Sequence, residues 1–243
     1  MTITFEKISR EPAYRRISNV IEEKILARSL MPGDTLPTEM ELAKQFGVNR
    51  STVREGLRRL ENTGLVKRRD GGKKLFVTRP RLTDVAAGVS RAMTLHNVTF
   101  FDVWETMMVL EPESARLAAS RITAEQLAAL EAIIGTAKSR PLDDNEMVEQ
   151  AVCFFNQLAA STGNPVLMMS QEPLSLLLRP SLELMIGRVA QARQRIVEAQ
   201  KEILNALKNK DADQAGKWMH KHILDFRRGY NLAGIDLDHV IVS

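Results

Sequence analysis

Residues 37–78, PTEMELAKQFGVNRSTVREGLRRLENTGLVKRRDGGKKLFVT, constrain this chain more than any other stretch. Their start, stop and turn signals fit one arrangement. Thr38 is placed to cap a helix, and Glu41 three residues later completes a capping box. Leu42, Ala43 and Phe46 give that helix an inner face, and Gly47 ends it. Val48 spaces a turn. Asn49 caps a second helix, with Val53, Leu57 and Leu60 inward at i, i+4 and i+7, stopped by Gly64. Leu65 to Arg69 then read as a strand, Asp70-Gly71 as a hairpin turn, and Lys73 to Val77 as the return strand. Two helices across a tight turn, followed by a basic hairpin, make a winged helix-turn-helix, whose second helix enters the DNA major groove.

Burying Val53, Leu57 and Leu60 turns Arg50, Ser51 and Arg54 outward near the helix N-terminus. Arg50 and Arg54 share a face, and each can make two hydrogen bonds to a guanine edge. Thr38, Asn49, Ser51 and Thr52 suit phosphate or base-edge contacts at helix N-termini. Asp70, Gly71, Gly72 and Lys73, with Lys74, form the wing tip expected at the neighbouring groove. The charge agrees. Residues 1–82 hold 18 Lys and Arg against 10 Asp and Glu, and the remainder 16 against 20, so +8 and −4 make up the total of +4. The basic excess is confined to the part expected to meet DNA.

The motif resembles the signature of the GntR regulators. Leu36-Pro37-Thr38-Glu39, Glu41-Leu42-Ala43, Gly47-Val48, Arg50, Thr52-Val53-Arg54-Glu55 and Gly64-Leu65-Val66 carry the resemblance. It implies that Arg50 and Arg54 read bases and that Asn49, Ser51 and Gly71 touch the backbone or groove. Met40 stands where the family often has an arginine, so one contact expected of the family is missing.

Around the motif, residues 13–30 read as a helix with Ile17, Val20, Ile21 and Ile25 inward, stopped by Pro32-Gly33. The expected organisation is a winged helix-turn-helix over 8–80, a linker with a short helix (Val85 to Met93) over 81–98, an all-helical domain over 99–232, and a tail over 233–243. The fold class is mainly α: three helices plus a β-hairpin, then an antiparallel bundle of six or seven helices. In the second part Phe100, Trp104, Met107 and Leu110 mark one helix, and Leu127, Leu130 and Ile134 the next behind a Thr123–Gln126 capping box. A third spans Asn145 to Ala160. After the Gly163-Asn164-Pro165 turn two more helices follow, with Pro180 marking a break or kink, and a long helix is expected from Leu184 to Lys208. The last runs from near Asp211 to Tyr230. A lone Cys153 excludes an intramolecular disulfide. No apolar run reaches the ~18 residues of a membrane span, and the N-terminus lacks the apolar core of a signal peptide, so a cytoplasmic protein is expected.

This second part resembles the FCD effector domain of the FadR subfamily, through Leu110-Glu111-Pro112, Ala115-Arg116-Leu117-Ala118-Ala119, Phe155-Asn156-Gln157-Leu158-Ala159 and Ser161-Thr162-Gly163-Asn164-Pro165. The resemblance implies a helical bundle that encloses a small organic effector and supplies the dimer contact. Most members hold a divalent metal; the matching positions here are Val152, Asn156, Gln200 and His222, a poor donor set for a transition metal, so no metal or other cofactor is expected. Met107, beside Met108, stands where an arginine often meets the effector's carboxylate. Asn156, Arg193, Gln200 and His222 fall on inward helix faces, and with Val152, Trp104, Met107 and Met108 they are the expected lining of the effector pocket. The expected function is a homodimeric regulator, a repressor, that binds a pseudo-palindromic DNA operator under control of a carboxylate or an apolar or aromatic effector. A regulator with a collapsed pocket is the alternative, and an enzyme acting on the pocket ligand a remote one.

Overall fold

The structure, a computed structural model, describes residues 11–69, 72, 74–139 and 142–241. Its chain divides into two units, 1–81 and 82–243. The first holds α1 (Ala13–Leu26), α2 (Glu39–Phe46), α3 (Arg50–Asn62), β1 (Val66–Arg68) and β2 (Leu75–Val77). Local chemistry starts and ends these helices. Thr38 Oγ1 accepts from the Glu41 N–H at 3.3 Å while the Glu41 carboxylate accepts from the Thr38 N–H at 2.7 Å. Asn49 Oδ1 accepts from the Thr52 N–H at 2.8 Å. Gly47 closes α2 in the left-handed region at φ 66°, where glycine has no Cβ to clash. Ile17, Ile21, Leu36, Leu42, Val53, Leu57, Leu60, Val66, Leu75 and Val77 form one apolar core.

The ribbon is antiparallel, with Val66 opposite Val77 and Arg68 opposite Leu75. Residues 33–36, read from sequence only as a stop, pair with its outer edge: Leu36 N–H donates to the Leu75 carbonyl and Val77 N–H to that of Asp34, each at 2.9 Å. The first helix is shorter than its periodicity predicts. Arg28 adopts φ 59°, and the Ser29 and Arg28 N–H groups bond back to the Lys24 and Ile25 carbonyls at 2.9 and 3.0 Å. That is a Schellman stop with arginine where glycine usually sits. Val20 is exposed rather than inward.

The second unit contains α4 (Leu82–Leu95), α5 (Phe100–Arg121), α6 (Ala124–Ser139), α7 (Asp144–Ser161), α8 (Pro165–Arg188), α9 (Ala192–Lys208) and α10 (Ala212–Leu232). The helix expected inside a linker is α4, longer than predicted, and it packs on α8. Capping side chains start α5 (Thr99), α6 (Thr123), α7 (Asp143), α8 (Asn164) and α10 (Asp211). Of the break or kink expected at Pro180, the break is not there. Pro173 and Pro180 both lie inside α8, and the chain instead turns at Val189–Gln191, with Val189 extended. An interior proline costs about 3 kcal/mol; here Leu174, Leu177, Leu178 and Leu182 are buried on the same helix and offset it. The tail docks: carbonyls of Leu237 and His239 accept the Phe101 and Phe100 N–H groups at 2.9 and 3.3 Å, and Ile241 is buried. It thereby serves two donors that the first turn of α5 cannot satisfy itself.

Helices α1 and α3 approach closely at Gly56, where an added Cβ would lie 2.8 Å from the Tyr14 carbonyl oxygen and 3.2 Å from Ile17 Cγ2. A Cβ at Gly135 in α6 would meet nothing within 4 Å. Gly56→Ala is therefore expected to lose about 1–3 kcal/mol despite alanine's better helix propensity. Gly135→Ala is expected to hold or gain up to about 1 kcal/mol. Urea denaturation of both variants checks the contrast.

Candidate functional site

The outer face of α3 is organised by one carboxylate. Glu39, at the start of α2, accepts from Arg54 at 3.1 Å, with Arg68 at 3.6 Å and Arg50 at 4.0 Å. Arg68 also pairs with Glu61 at 3.1 Å. The Glu39 side chain is 19% exposed, those of Arg54 and Arg50 49% and 62%: the acid lies beneath and the guanidiniums reach outward. The Arg54 hydrogen bond holds the Glu39 carboxyl below its usual range despite partial burial. Half-exposed ion pairs add at most ~1 kcal/mol, so the arrangement orients the arginines more than it stabilises the fold. A groove of about 800 Å³ runs between α2, α3 and the ribbon, lined by Thr38, Met40, Arg50, Arg54, Arg58, Arg68 and Lys74. Thr38, Asn49 and Thr52 are occupied in caps, and Asn49 Oδ1 also accepts from the Ser51 and Thr52 hydroxyls at 2.8 and 2.7 Å. Gly72 is exposed. Asp70, Gly71 and Lys73 lie outside the described residues.

The second unit has an unusual polar layer in its core. Tyr230 and Trp104 are served: Ser181 Oγ donates to the phenol oxygen at 3.0 Å, and Trp104 Nε1 donates to the Ile223 carbonyl at 2.9 Å. Glu111 Oε1 and Oε2, Gln150 Oε1, Gln200 Nε2 and His222 Nε2 are buried with no hydrogen-bond partner. Gln150, Gln200 and His222 are neighbours, and Glu111 lies further along the α5–α10 seam. The ties Trp104–Ile223 and Arg116–Asp213 (2.6 Å) run α5 antiparallel to α10, with Glu111 between them and His222 beside the first. Arg195 pairs with Asp225, and Ala199 lies beside His222 in the groove between α9 and α10, which brings Gln200 to the same height. Gln150 Nε2 donates to Gln200 Oε1 at 2.6 Å, and Phe155 stacks on His222 at 5.7 Å. At 1.5 Å per residue, the four groups fall within about two helical turns. Burial pushes the Glu111 carboxyl up to about 8 and the His222 imidazole down to about 3, so both are uncharged at pH 7.

Residues 13–73 match the gntR family of bacterial regulatory proteins, and residues 102–225 match the FCD domain. The chain belongs to the GntR family. Within it, the chain combines a helix-turn-helix with an FCD domain, as FadR-like regulators do. This GntR-family chain is 33% identical over 165 residues to an HTH-type transcriptional regulator of Mycobacterium tuberculosis, covering 67% of each. It is 29% identical over 231 residues to the HTH-type transcriptional repressor NanR of Edwardsiella tarda, covering 89% of this chain and 86% of NanR. The solved GntR structure from Streptococcus agalactiae superposes with a TM-score of 0.65 at 27% identity, covering 88% of this chain and 99% of that one. No helix of the described residues is long and apolar enough to cross a membrane.

The pocket residues inferred from sequence do not all meet. Gln200 and His222 lie in the polar layer, and Met107, Val152 and Trp104 in the core around it. Asn156 turns instead to α8, where it accepts from Ser175 at 2.8 Å. Arg193 is held at the bundle edge by Asp144 and the Leu142 carbonyl, and Met108 lines a surface groove with Val109 and Arg116. Val152, Asn156, Gln200 and His222 do not fit a metal: one is aliphatic, one is bonded elsewhere, and only His222 is a normal ligand. Among the described residues no three His, Cys, Asp or Glu side chains gather. Glu39, Glu111 and Gln150 were missed. A charge four residues after Met107, in the Trp104–Met107–Ala115 stripe, was the available signal for Glu111.

Two outcomes follow from this geometry. Glu39→Ala is expected to change stability by less than about 1 kcal/mol, to narrow the affinity gap between cognate and random DNA, and to steepen the salt dependence. Fluorescence anisotropy at several salt concentrations reads both. For the core, folding keeps a proton on Glu111 that the unfolded chain sheds above about 4.5, so this group lowers stability as pH rises from about 4.5 to 8. Folding keeps His222 neutral down to about 3 while the unfolded chain protonates below about 6.5; its contribution is whole above 6.5 and lost as pH falls. The slopes oppose between 4.5 and 6.5, and from 6.5 to 8 Glu111 acts alone, by at most about 1.4 kcal/mol per pH unit. Urea denaturation between pH 6.5 and 8 should show this decline in the wild type and lose it in Glu111→Gln; equal slopes would contradict it.

Proposed function

We propose that the protein is a transcriptional repressor of the cytoplasm, binding a pseudo-palindromic DNA operator as a homodimer and controlled by a small organic effector held in the helical unit. The observation that carries the DNA-reading part is the set of outward arginines anchored on Glu39 at the N-terminal end of α3. An N-terminal recognition helix with two preset arginines is the arrangement that reads guanine edges in a major groove, and Lys74 on the groove rim suits phosphate. The repressor sign is taken from the NanR relatives. The polar layer of α5, α7, α9 and α10 supports an effector: unsatisfied buried polar atoms are rare in native cores and call for a partner. Two amides, a neutral imidazole and a protonated carboxyl suit hydrogen bonding rather than turnover, so we assign the unit binding and not catalysis. A preference of the effector for one bundle arrangement, by about 1–3 kcal/mol, changes operator occupancy five- to 150-fold.

The test begins with an operator selected in vitro from random duplexes. Arg54→Ala and Arg50→Ala are each expected to weaken it by about 1–3 kcal/mol and to relax preference at one base pair per half-site. Lys74→Ala is expected to weaken every duplex alike and to reduce the salt slope by about 0.9 per phosphate lost. Wild-type affinity and preference in Arg54→Ala would place the recognition surface elsewhere.

A further inference from the structure

We propose that Met40 is a specificity-determining residue that reads the C5-methyl group of one thymine in each operator half-site. The inference rests on the DNA-reading part of the proposed function and adds a base contact of a second chemical kind. Met40 follows Glu39, the carboxylate that accepts from Arg54 Nη2 at 3.1 Å and Nε at 3.3 Å and lies 4.0 Å from Arg50. It is thus the next residue after the point where both outward arginines are anchored. Its side chain lines the same groove as Thr38, Arg50, Arg54 and Lys74, and the residue is 66% exposed.

The fold makes no use of an apolar side chain at this position. The leucines of the groove, Leu36, Leu57 and Leu75, are buried in the core of the unit, and Met40 stands outside that core. The inner face of α2 is supplied by Leu42 and Ala43, and Thr38 and Glu41 cap the helix through each other. Pro37 is exposed in the groove as well, on a short rigid ring; the long flexible side chain is that of Met40. A thioether has no proton to donate, so neither a phosphate oxygen nor a guanine edge gains a hydrogen bond from it.

The major groove presents hydrogen-bond donors and acceptors at every base pair, and its apolar feature is the thymine C5-methyl. Against a thymine, Met40 Sδ and Cε would remove that methyl from water, with rotamers free to adapt to it. Against a guanine they would cover N7 and O6 without replacing the water that served them, which costs free energy. The contact is therefore favoured at T·A and disfavoured at G·C. Arg50 and Arg54 suit guanine edges, so each half-site is expected to set a thymine beside the guanines that those arginines read.

The test uses the full chain and the operator selected from random duplexes. Each thymine of a half-site is replaced in turn by uracil, which keeps O4 and the base pairing and removes the methyl alone. At one position per half-site this should weaken binding about threefold, and 5-methylcytosine opposite guanine there should bind more tightly than cytosine. Met40→Ala, judged folded by its melting temperature, should weaken the thymine operator by a similar factor and bind the thymine and uracil duplexes equally, the coupling expected of a direct contact. Selection repeated with Met40→Arg should replace that thymine by guanine. Absence of a uracil effect at every thymine would overturn the inference. A uracil effect that survives in Met40→Ala would overturn it equally, because another group then reads the methyl, and so would an unchanged selection by Met40→Arg. The DNA-reading assignment is judged separately: wild-type binding by Arg54→Ala removes both readings, whereas a defect in Arg54→Ala with no uracil effect removes only the role of Met40.

Discussion

The helical unit depends on the antiparallel packing of α5 against α10, tied by Trp104 to Ile223 and by Arg116 to Asp213. Between those ties the buried polar side chains are Glu111 and Ser114 on α5 and His222 on α10. A carboxyl in that position, without a partner, costs free energy whether it is ionised or neutral, and the chain keeps it neutral at the expense of a raised proton affinity. The same layer leaves three further side chains with an unmet atom, on α7, α9 and α10. Unmet polarity on four helices is difficult to explain as core packing, because an apolar side chain at each position would leave no polar atom unmet. It is readily explained as a site whose partner arrives from outside.

The DNA-reading unit solves a different problem, that of holding long cationic side chains ready without burying them. Glu39 does so from beneath, one acid for three arginines. The basic excess of residues 1–82 and the acidic excess of the remainder divide the chain's electrostatic roles in the same way. The N-terminal unit is drawn to a polyanion, and the helical unit is not.

What could be read from sequence was mostly local. The Thr38–Glu41, Thr123–Gln126 and Asn49 caps, the Gly47 stop and the Val53, Leu57, Leu60 stripe depend on residues three or four apart, and each is present in the structure. Local signals failed where tertiary packing outweighed them. Arg28 takes a left-handed stop that no glycine advertises, and the leucines of α8 carry Pro173 and Pro180 through a continuous helix. In the pocket, facing inward did not mean meeting: Asn156 and Arg193 lie on predicted inner faces but find Ser175 and Asp144 on their own sides of the bundle. Glu111 was visible only as part of a motif string. Its significance lies in the absence of a partner, which spacing cannot report.

The most direct measurement is the titration of the Glu111 carboxyl itself. Side-chain carboxyl ¹³C resonances of glutamate-labelled full-length protein, compared with Glu111→Gln to assign the signal, give its protonation at each pH. A midpoint near pH 8 in the free protein is the result expected of a buried carboxyl without a partner. A midpoint in the ordinary carboxylate range near 4.5 in the free protein would mean that Glu111 is already solvated or paired, and the polar layer would no longer require a ligand.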